Sequence, residues 1–428
     1  MKIRLYKSSI VYFLLVFVSL LPAMTFLPSP LRSLSALGVC CIFLMGKKTY
    51  LLFPVFIFYY SYFDNIFGLS VFRWFTFLFF LDIFLHDMKK LRKIPFTIYC
   101  VLLIYLTYSV AVVAPHELKL AAFVLWDIYV ACLLVLKLRE NMDALKQFCY
   151  FYVFIALVSF VVGYLLGTDN LLHVNTLLGG TVVRVSRYCG TFEDPNYMGF
   201  FYTIAVFSIV SLKLYTKKLR VLIIALLYAM VLFTLSITAL IGNVLLWTLF
   251  LIVDRKINIK TVAAALVLIT AALQTYHWAL TQPPDNPVTQ LSLRVEDKLD
   301  AFFSGDVDDF TTGRTSIAEQ HMEFFKDQTI VGKLIGMNAV NTRFVQLDGY
   351  QARPAHNEYV DMLLNVGILG SMALLAYILH RILRLMVLYR ETKQAGYLCL
   401  LMYKLIWCYY VATLTVFLDY RFFIFYLI

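Results

Sequence analysis

Apolar residues along this chain gather into long runs separated by short polar joints. The runs lie near 8–27, 31–45, 49–67, 69–87, 95–114, 118–137, 146–167, 196–214, 219–235, 237–253, 259–277, 358–380 and 396–418. Each approaches the roughly twenty residues that a helix needs to cross a hydrocarbon core of ~30 Å. Inside that core every backbone N–H and C=O must bond within its own segment, so the runs predict helices and not strands. Asp419 to Ile428 is too short to span by itself. The expected fold class is all-α: a polytopic integral membrane protein with about 12–13 transmembrane helices and one large extracytoplasmic loop. Four regions follow: membrane helices over 1–167, a first polar outer loop with further helices over 168–277, the large loop over 278–357, and the last helices over 358–428.

Composition agrees, because 61% hydrophobic against 15% charged residues leaves too little polar surface for a soluble globular protein. Lys and Arg set the orientation, since short cytoplasmic loops retain them. Lys2, Arg4 and Lys7, Lys47 and Lys48, Lys89 to Lys93, Lys137 to Lys146, Lys213 to Arg220, and Arg255 to Lys260 all fall on one side of the predicted spans. The short loops of the other side hold little beyond Arg32 and Lys119. The amino terminus is therefore expected inside and the large loop outside, in the cytoplasmic (inner) membrane. The net charge of +11 is then a product of topology and calls for no nucleic-acid partner. The basic residues before the first run suggest a signal peptide, but the run's length and the spans that follow favour an uncleaved anchor. Of eight cysteines most lie in predicted spans, and Cys189 alone is clearly in an outer loop, so neither a disulfide framework nor a zinc framework is expected.

Two outer segments carry the chemistry. The first reads Arg184-Val185-Ser186-Arg187-Tyr188-Cys189-Gly190-Thr191-Phe192-Glu193-Asp194-Pro195-Asn196. Asp194 is placed as a helix N-cap with Pro195 at the first helical position. Arg184 and Arg187, on a side otherwise poor in positive charge, point to an anion held at the membrane surface, or to lipid headgroup contact. The second segment carries Asp306-Val307-Asp308-Asp309, Thr312-Gly313-Arg314, Arg343, Arg353 and His356. The Asp-x-Asp could hold a divalent ion, though beside Gly305 a solvated acidic turn is the reading preferred. Arg314 precedes a predicted amphipathic helix over Ser316 to Phe325 lying on the membrane, and the N–H groups opening such a helix also favour anions.

His356 follows Pro354 and precedes a predicted continuous helix from Glu358 to Leu375. At a helix amino terminus the dipole disfavours imidazolium, which leaves a neutral ring suited to a general base. The competing reading is an interfacial histidine that solvates or caps the helix. Gly367 and Gly370 are read as allowing close helix packing.

The ordered set Arg187-x-x-Gly190-x-Phe192-x-Asp194-Pro195-Asn196, then Thr312-Gly313-Arg314 in a long outer loop, then His356-Asn357-x-Tyr359 with Gly367 downstream resembles the O-antigen ligase and polymerase superfamily, including capsule-repeat polymerases. The resemblance covers about residues 180 to 380. It implies about twelve spans, both functional loops outside, and a metal-independent inverting glycosyl transfer from an undecaprenyl-diphosphate-linked glycan to a glycan acceptor. In that reading Arg187 and Arg314 stabilise the diphosphate and His356 acts on the acceptor hydroxyl, with no cofactor and no metal. Arg184, Asn196, Arg343, Arg353 and Asn357 complete the candidate substrate contacts. Ile237 stands where members often carry Arg after the Ser of Leu235-Ser236, and Phe324 and Phe325 stand where a Trp commonly follows the Gly-Arg motif.

The reading taken is a repeat-unit polymerase, with transfer of polymer to lipid A core, as a ligase performs, the alternative. Membrane lipid and a flippase or chain-length regulator of the same pathway are the further partners. A lipid-linked oligosaccharide flippase or polysaccharide exporter would need polar residues lining a path through the spans. Here Asp82, Asp127 and Lys404 are scattered exceptions. A non-enzymatic scaffold would tolerate loss of His356.

Two outcomes are expected. A cysteine placed at Asp348 in a Cys-free background reacts with an impermeant reagent in intact cells or spheroplasts; reaction only after permeabilisation reverses the orientation. Purified enzyme keeps its turnover in EDTA, whereas full loss restored by magnesium or manganese brings Asp306 and Asp308 into the site.

Overall fold

A computed structural model describes residues 28–59, 63, 65–91, 118–166, 170–178, 181–254, 274–279, 281–282, 286–306, 314–336, 356–412, 414 and 420–428. The expected spans at 8–27 and 95–114, and nearly all of that at 259–277, lie outside these residues. The described elements are α1 (Ser29–Met45), α2 (Phe53–Tyr59), the short hairpin β1 (Asn65–Ile66) and β2 (Leu69–Ser70), α3 (Val71–His86), α4 (Leu118–Glu140) and α5 (Met142–Leu166). A long antiparallel hairpin, β3 (Asn170–Leu178) and β4 (Thr181–Gly190), leads into α6 (Pro195–Leu212), α7 (Lys217–Phe233) and α8 (Ile237–Val253). Then come α9 (Pro287–Ser304), α10 (Arg314–Lys326), α11 (Ile330–Ile335), α12 (Glu358–Thr392), α13 (Ala395–Val411) and α14 (Tyr420–Leu427).

The protein is predominantly helical, in keeping with an α-helical membrane protein. Among the described residues α5, α6 and α12 contain helices long and apolar enough to cross a bilayer, while α1, α8 and α13 are shorter apolar helices. Two features depart from the hydropathy reading. The run 49–67 does not form one continuous α-helix: a 3-10 turn over Thr49–Leu52 leads into α2, every described residue of both is buried, and the run closes on strand β1. The ladder from Asn170↔Gly190 to Leu178↔Thr181 is the second, a strand pair preceding the first motif.

Helix α6 lies at the centre, packed by α5, α7, α8 and α13, with only Tyr197 and Val210 outside its buried set. Its polar side chains are consumed locally, as an apolar surrounding requires. Thr203 and Ser208 donate to the carbonyls of Gly199 and Ile204, each at 2.7 Å. Asn243 of α8 donates to Thr203 Oγ1 at 3.1 Å, and Tyr202 donates to the Ala156 carbonyl at 3.0 Å. A methyl group on Gly199 would stand 2.9 Å from Ala239 Cβ, so the glycine sets how closely α6 and α8 cross.

The scattered charges of the spans are likewise tied into packing. Arg73 pairs with Asp127, Asp82 accepts from Thr49 and meets His86 at 3.0 Å, and Lys404 lies over Tyr377 and Trp407 at 5.3 and 5.4 Å.

Helix α12 is broken at Gly367, whose φ of 66° and ψ of −173° are open essentially to glycine alone. The break receives the end of α11: an added Cβ at Gly367 would lie 2.5 Å from Gly336 N and from the Leu334 carbonyl oxygen. Close packing at Gly367 was legible in the sequence, and interruption of the expected continuous helix was not.

Gly367→Ala should therefore lower the apparent melting temperature of the purified protein through strain of about 1–3 kcal/mol plus a backbone clash. Gly38→Ala, where a methyl group meets nothing within 4 Å, should not. Equal melting curves for the two variants would show that α11 moves freely against α12.

Candidate functional site

The first motif is built by a strand, a turn and a helix start. Phe192 stacks on Phe201 at a centroid distance of 5.0 Å and packs on Phe58 at 5.4 Å, which roots the turn in the bundle. Asp194 has extended backbone and accepts from Asn196 N at 2.6 Å, so it caps α6 with Pro195 at the first position, as its sequence suggests. Asn196 is buried, and its Oδ1 accepts from Ser236 Oγ at 2.6 Å and from Arg187 Nη2 at 3.4 Å. Ser236 is itself the N-cap of α8, accepting from Ala239 N at 3.2 Å. One side-chain oxygen thus joins two helix starts and an arginine.

Arg187 sits on β4 opposite Leu172 and also donates Nε to the Thr234 carbonyl at 3.1 Å. The next carbonyl, Leu235, accepts from Arg294 Nη1 at 2.8 Å. Leu235 holds φ of 48°, and Leu291 and Leu293 of α9 pack on it. The turn between α7 and α8 therefore anchors two guanidinium groups on successive carbonyls. Arg294 was missed by motif reading because α9 is amphipathic and an arginine on its polar face is ordinary. It does arrive at the turn where Ile237 replaces the arginine implied by the resemblance.

Arg314 opens α10, as expected, and makes no hydrogen bond to a described residue. Its guanidinium and those of Arg187 and Arg294 feel one another. Burial first, then the charge of Arg294, pulls Arg187 down to about 10, with Asp194 opposing and Arg314 adding to the fall. Burial also lowers Arg294, with Asp297 opposing and Arg314 reinforcing, and lowers Arg314 against the pull of Asp194 and Tyr409. All three remain charged at neutral pH. Three cations from β4, α9 and α10 thus face two carboxylates, Asp194 beside Arg187 and Arg314 and Asp297 beside Arg294, an arrangement that favours an anion of more than one charge.

His356 immediately precedes Asn357, the N-cap of α12, and holds φ of 51°. The Asn357 side chain accepts from Tyr359 N at 3.0 Å and Val360 N at 3.4 Å, so its oxygen caps the helix. Tyr359 donates to the Cys408 carbonyl of α13 at 2.9 Å, and the next residue, Tyr409, faces Arg314 and donates to the Thr238 carbonyl at 2.8 Å. His356 and the arginine group thus stand at the same end of the bundle. The first turn of α12 also buries two carboxylates, Glu358 and Asp361, unremarked in the sequence reading although their spacing places both on one helix face. On α10, His321 is fully buried with Nδ1 2.8 Å from the Ile317 carbonyl oxygen, two turns beyond Arg314 on the same face.

Among the other candidates, Arg184 pairs with Asn175 in the ladder of β3 and β4. Arg343 and Arg353 lie outside the described residues, as do Asp308, Thr312 and Gly313. Asp306 is exposed, and among the described residues no group of three or more His, Cys, Asp or Glu could hold a metal ion. Cys189 is buried, and its thiol donates to the Arg187 carbonyl at 3.7 Å.

Residues 198–375 match a family model described as O-antigen ligase. Comparison with curated proteins gave no match.

Replacing Arg294 tests the electrostatic balance. Arg294→Gln should leave the ligand-free melting temperature unchanged or higher, because it removes a repelling charge, while weakening pyrophosphate binding about tenfold or more, the scale of one charged hydrogen bond. A lower melting temperature with unchanged pyrophosphate affinity would make Arg294 a strut for the turn and nothing more.

Proposed function

We propose, on the support that the match over residues 198–375 gives to membership of the O-antigen ligase and polymerase superfamily, that the chain is an inverting glycosyltransferase of the cytoplasmic membrane. It polymerises undecaprenyl-diphosphate-linked repeat units of O-antigen or capsular polysaccharide on the extracytoplasmic side. The observation that carries this reading is the convergence of Arg187, Arg294 and Arg314 beside Asp194, at the same end of the bundle as His356.

In the proposed reaction the acceptor hydroxyl attacks the anomeric carbon as the bond from that carbon to the diphosphate oxygen breaks. The configuration inverts, the proton passes to His356, and the electron pair leaves with the diphosphate. Arg187 and Arg314 bind the diphosphate and stabilise the charge that grows on it. A carboxylic acid must protonate the poor leaving group of a glycosidase, whereas a diphosphate departs readily, so paired catalytic carboxylates are unnecessary. Pairing of Asp82 and Asp127 with packing partners supports an enzyme over an exporter, which needs a polar path through its spans.

Deletion of the gene separates the two acceptor classes. Loss of the long glycan ladder with a single repeat retained marks a polymerase. Full-length lipid-linked polymer that never reaches lipid A marks a ligase.

Variants of the purified protein test the residue roles. Arg187→Lys and Arg314→Lys should stay impaired despite keeping charge, because an ammonium lacks the planar fork that engages two oxygens. His356→Ala should keep donor binding and lose turnover by roughly a hundredfold or more. Near-normal polymer from His356→Ala, measured with donor binding and folding on the same sample, would reduce His356 to an interfacial residue.

A further inference from the structure

Helix α11 belongs by sequence to the large polar insert, yet its exposed surface is apolar. Ile330, Val331, Leu334 and Ile335 are 77%, 64%, 41% and 41% exposed. At about 100° per residue they fill one continuous arc of the helix, with Gly332 about 60° beyond one end of it and Lys333 about 60° beyond the other. A six-residue helix facing water would gain nothing from such an arc, and soluble surfaces seldom concentrate large aliphatic side chains in this way.

The attachment of α11 fixes where that arc lies. Its carboxyl end is set backbone to backbone against the break in α12: a Cβ on Gly336 would fall 2.6 Å from Val366 N, and one on Gly367 would fall 2.5 Å from the Leu334 carbonyl oxygen. Such contact leaves no room for sliding. From Gly367, the stretch Ile368 to Leu379 carries no charge before His380 and Arg381. Helix from Gly367 to His380 rises about 20 Å at ~1.5 Å per residue. Arg381 is buried against the Ile428 carbonyl and the exposed apolar face of α12 runs on through Leu383 and Val387, so the charge-free stretch that begins at Gly367 belongs to the part of α12 that crosses the ~30 Å hydrocarbon core. Beside it, Leu369 and Met372 of α12 are also strongly exposed, as lipid-facing side chains are.

We propose that α11 is a membrane-embedded part of the insert, its Ile330, Val331, Leu334 and Ile335 face lying among the acyl chains of the leaflet on the His356 side. The occupant of this face is bilayer lipid, because its apolar arc stands at the depth of, and beside, the exposed apolar surface of a spanning helix. Lys333, beyond one end of the arc, can extend its ammonium toward the headgroups. The insert is thereby held at fixed depth at its α11 end while α10 and Arg314 remain at the interface. This inference rests on the chain crossing a membrane and not on the glycosyl-transfer reading.

Single cysteines at Val331, Glu319 and Met372 in a Cys-free full-length protein test it after reconstitution in phosphatidylethanolamine and phosphatidylglycerol vesicles. Glu319 on α10 is exposed and polar, and Met372 on α12 is the lipid-facing reference. A nitrobenzoxadiazole label at Val331 should match Met372 in blue-shifted emission and in quenching by an acyl-chain nitroxide. Aqueous iodide should quench it about fivefold less than a label at Glu319. Because a label can itself seek lipid, the unlabelled thiols are also compared, and a sulfonated maleimide should react with the Val331→Cys thiol about tenfold more slowly than with the Glu319→Cys thiol. Matching iodide quenching and reaction rates at Val331 and Glu319, in protein that elutes as folded, would place α11 in water and overturn the proposal.

Discussion

A single carboxamide oxygen, Asn196 Oδ1, holds the motif-bearing end of the bundle together. It accepts from Ser236 at 2.6 Å and from Arg187 at 3.4 Å, while Ser236 and Asp194 cap the two helices that meet there. In an apolar surrounding each helix start exposes N–H groups that need acceptors, and each guanidinium needs somewhere to place its donors. Asp194 and Ser236 meet the first need, and Asn196 with the carbonyls of Thr234 and Leu235 meets the second, all at one turn. Arg187 and Arg294 are consequently fixed by backbone geometry, and their positions do not wait for a ligand.

That rigidity carries an electrostatic cost. Buried guanidinium groups that repel one another lower their own proton affinity, and the downward shifts of Arg187, Arg294 and Arg314 express that cost. Below about 10 the folded and unfolded forms of Arg187 both carry the proton, so its destabilising share is constant through neutral pH and is relieved only as pH rises past that value. A bound anion of two or more charges relieves it at neutral pH. Repulsion among guanidinium groups held in fixed positions in this way favours an anionic ligand through preorganisation.

Backbone contact at the Gly336 and Gly367 pair performs the corresponding task for the large insert. The glycine break in α12 admits α11 at a distance no side chain would allow, and it links the insert to the helix that begins just after His356. Tyr359 and Tyr409 extend that link to α13 and to the start of α8. The histidine, the arginines and the insert therefore share one scaffold.

Much of this was legible in the residues themselves, because it rests on local rules. Apolar runs gave α4, α5, α8 and α13 close to their observed bounds, Asp194-Pro195 announced the start of α6, and the Thr312-Gly313-Arg314 turn announced α10. Hydrophobic and capping signals act within a few turns of chain, so sequence alone can determine them. The break at Gly367, the strand β1 inside the run 49–67, the hairpin before the first motif and the arrival of Arg294 at the Leu235 carbonyl were decided only by tertiary structure. An arginine on a polar helix face is indistinguishable from a solvated one until the helix docks. A glycine fit for close packing reads the same whether the helix continues or breaks. Each of those outcomes depends on what the fold brings alongside from a distant part of the chain, which a local pattern does not encode.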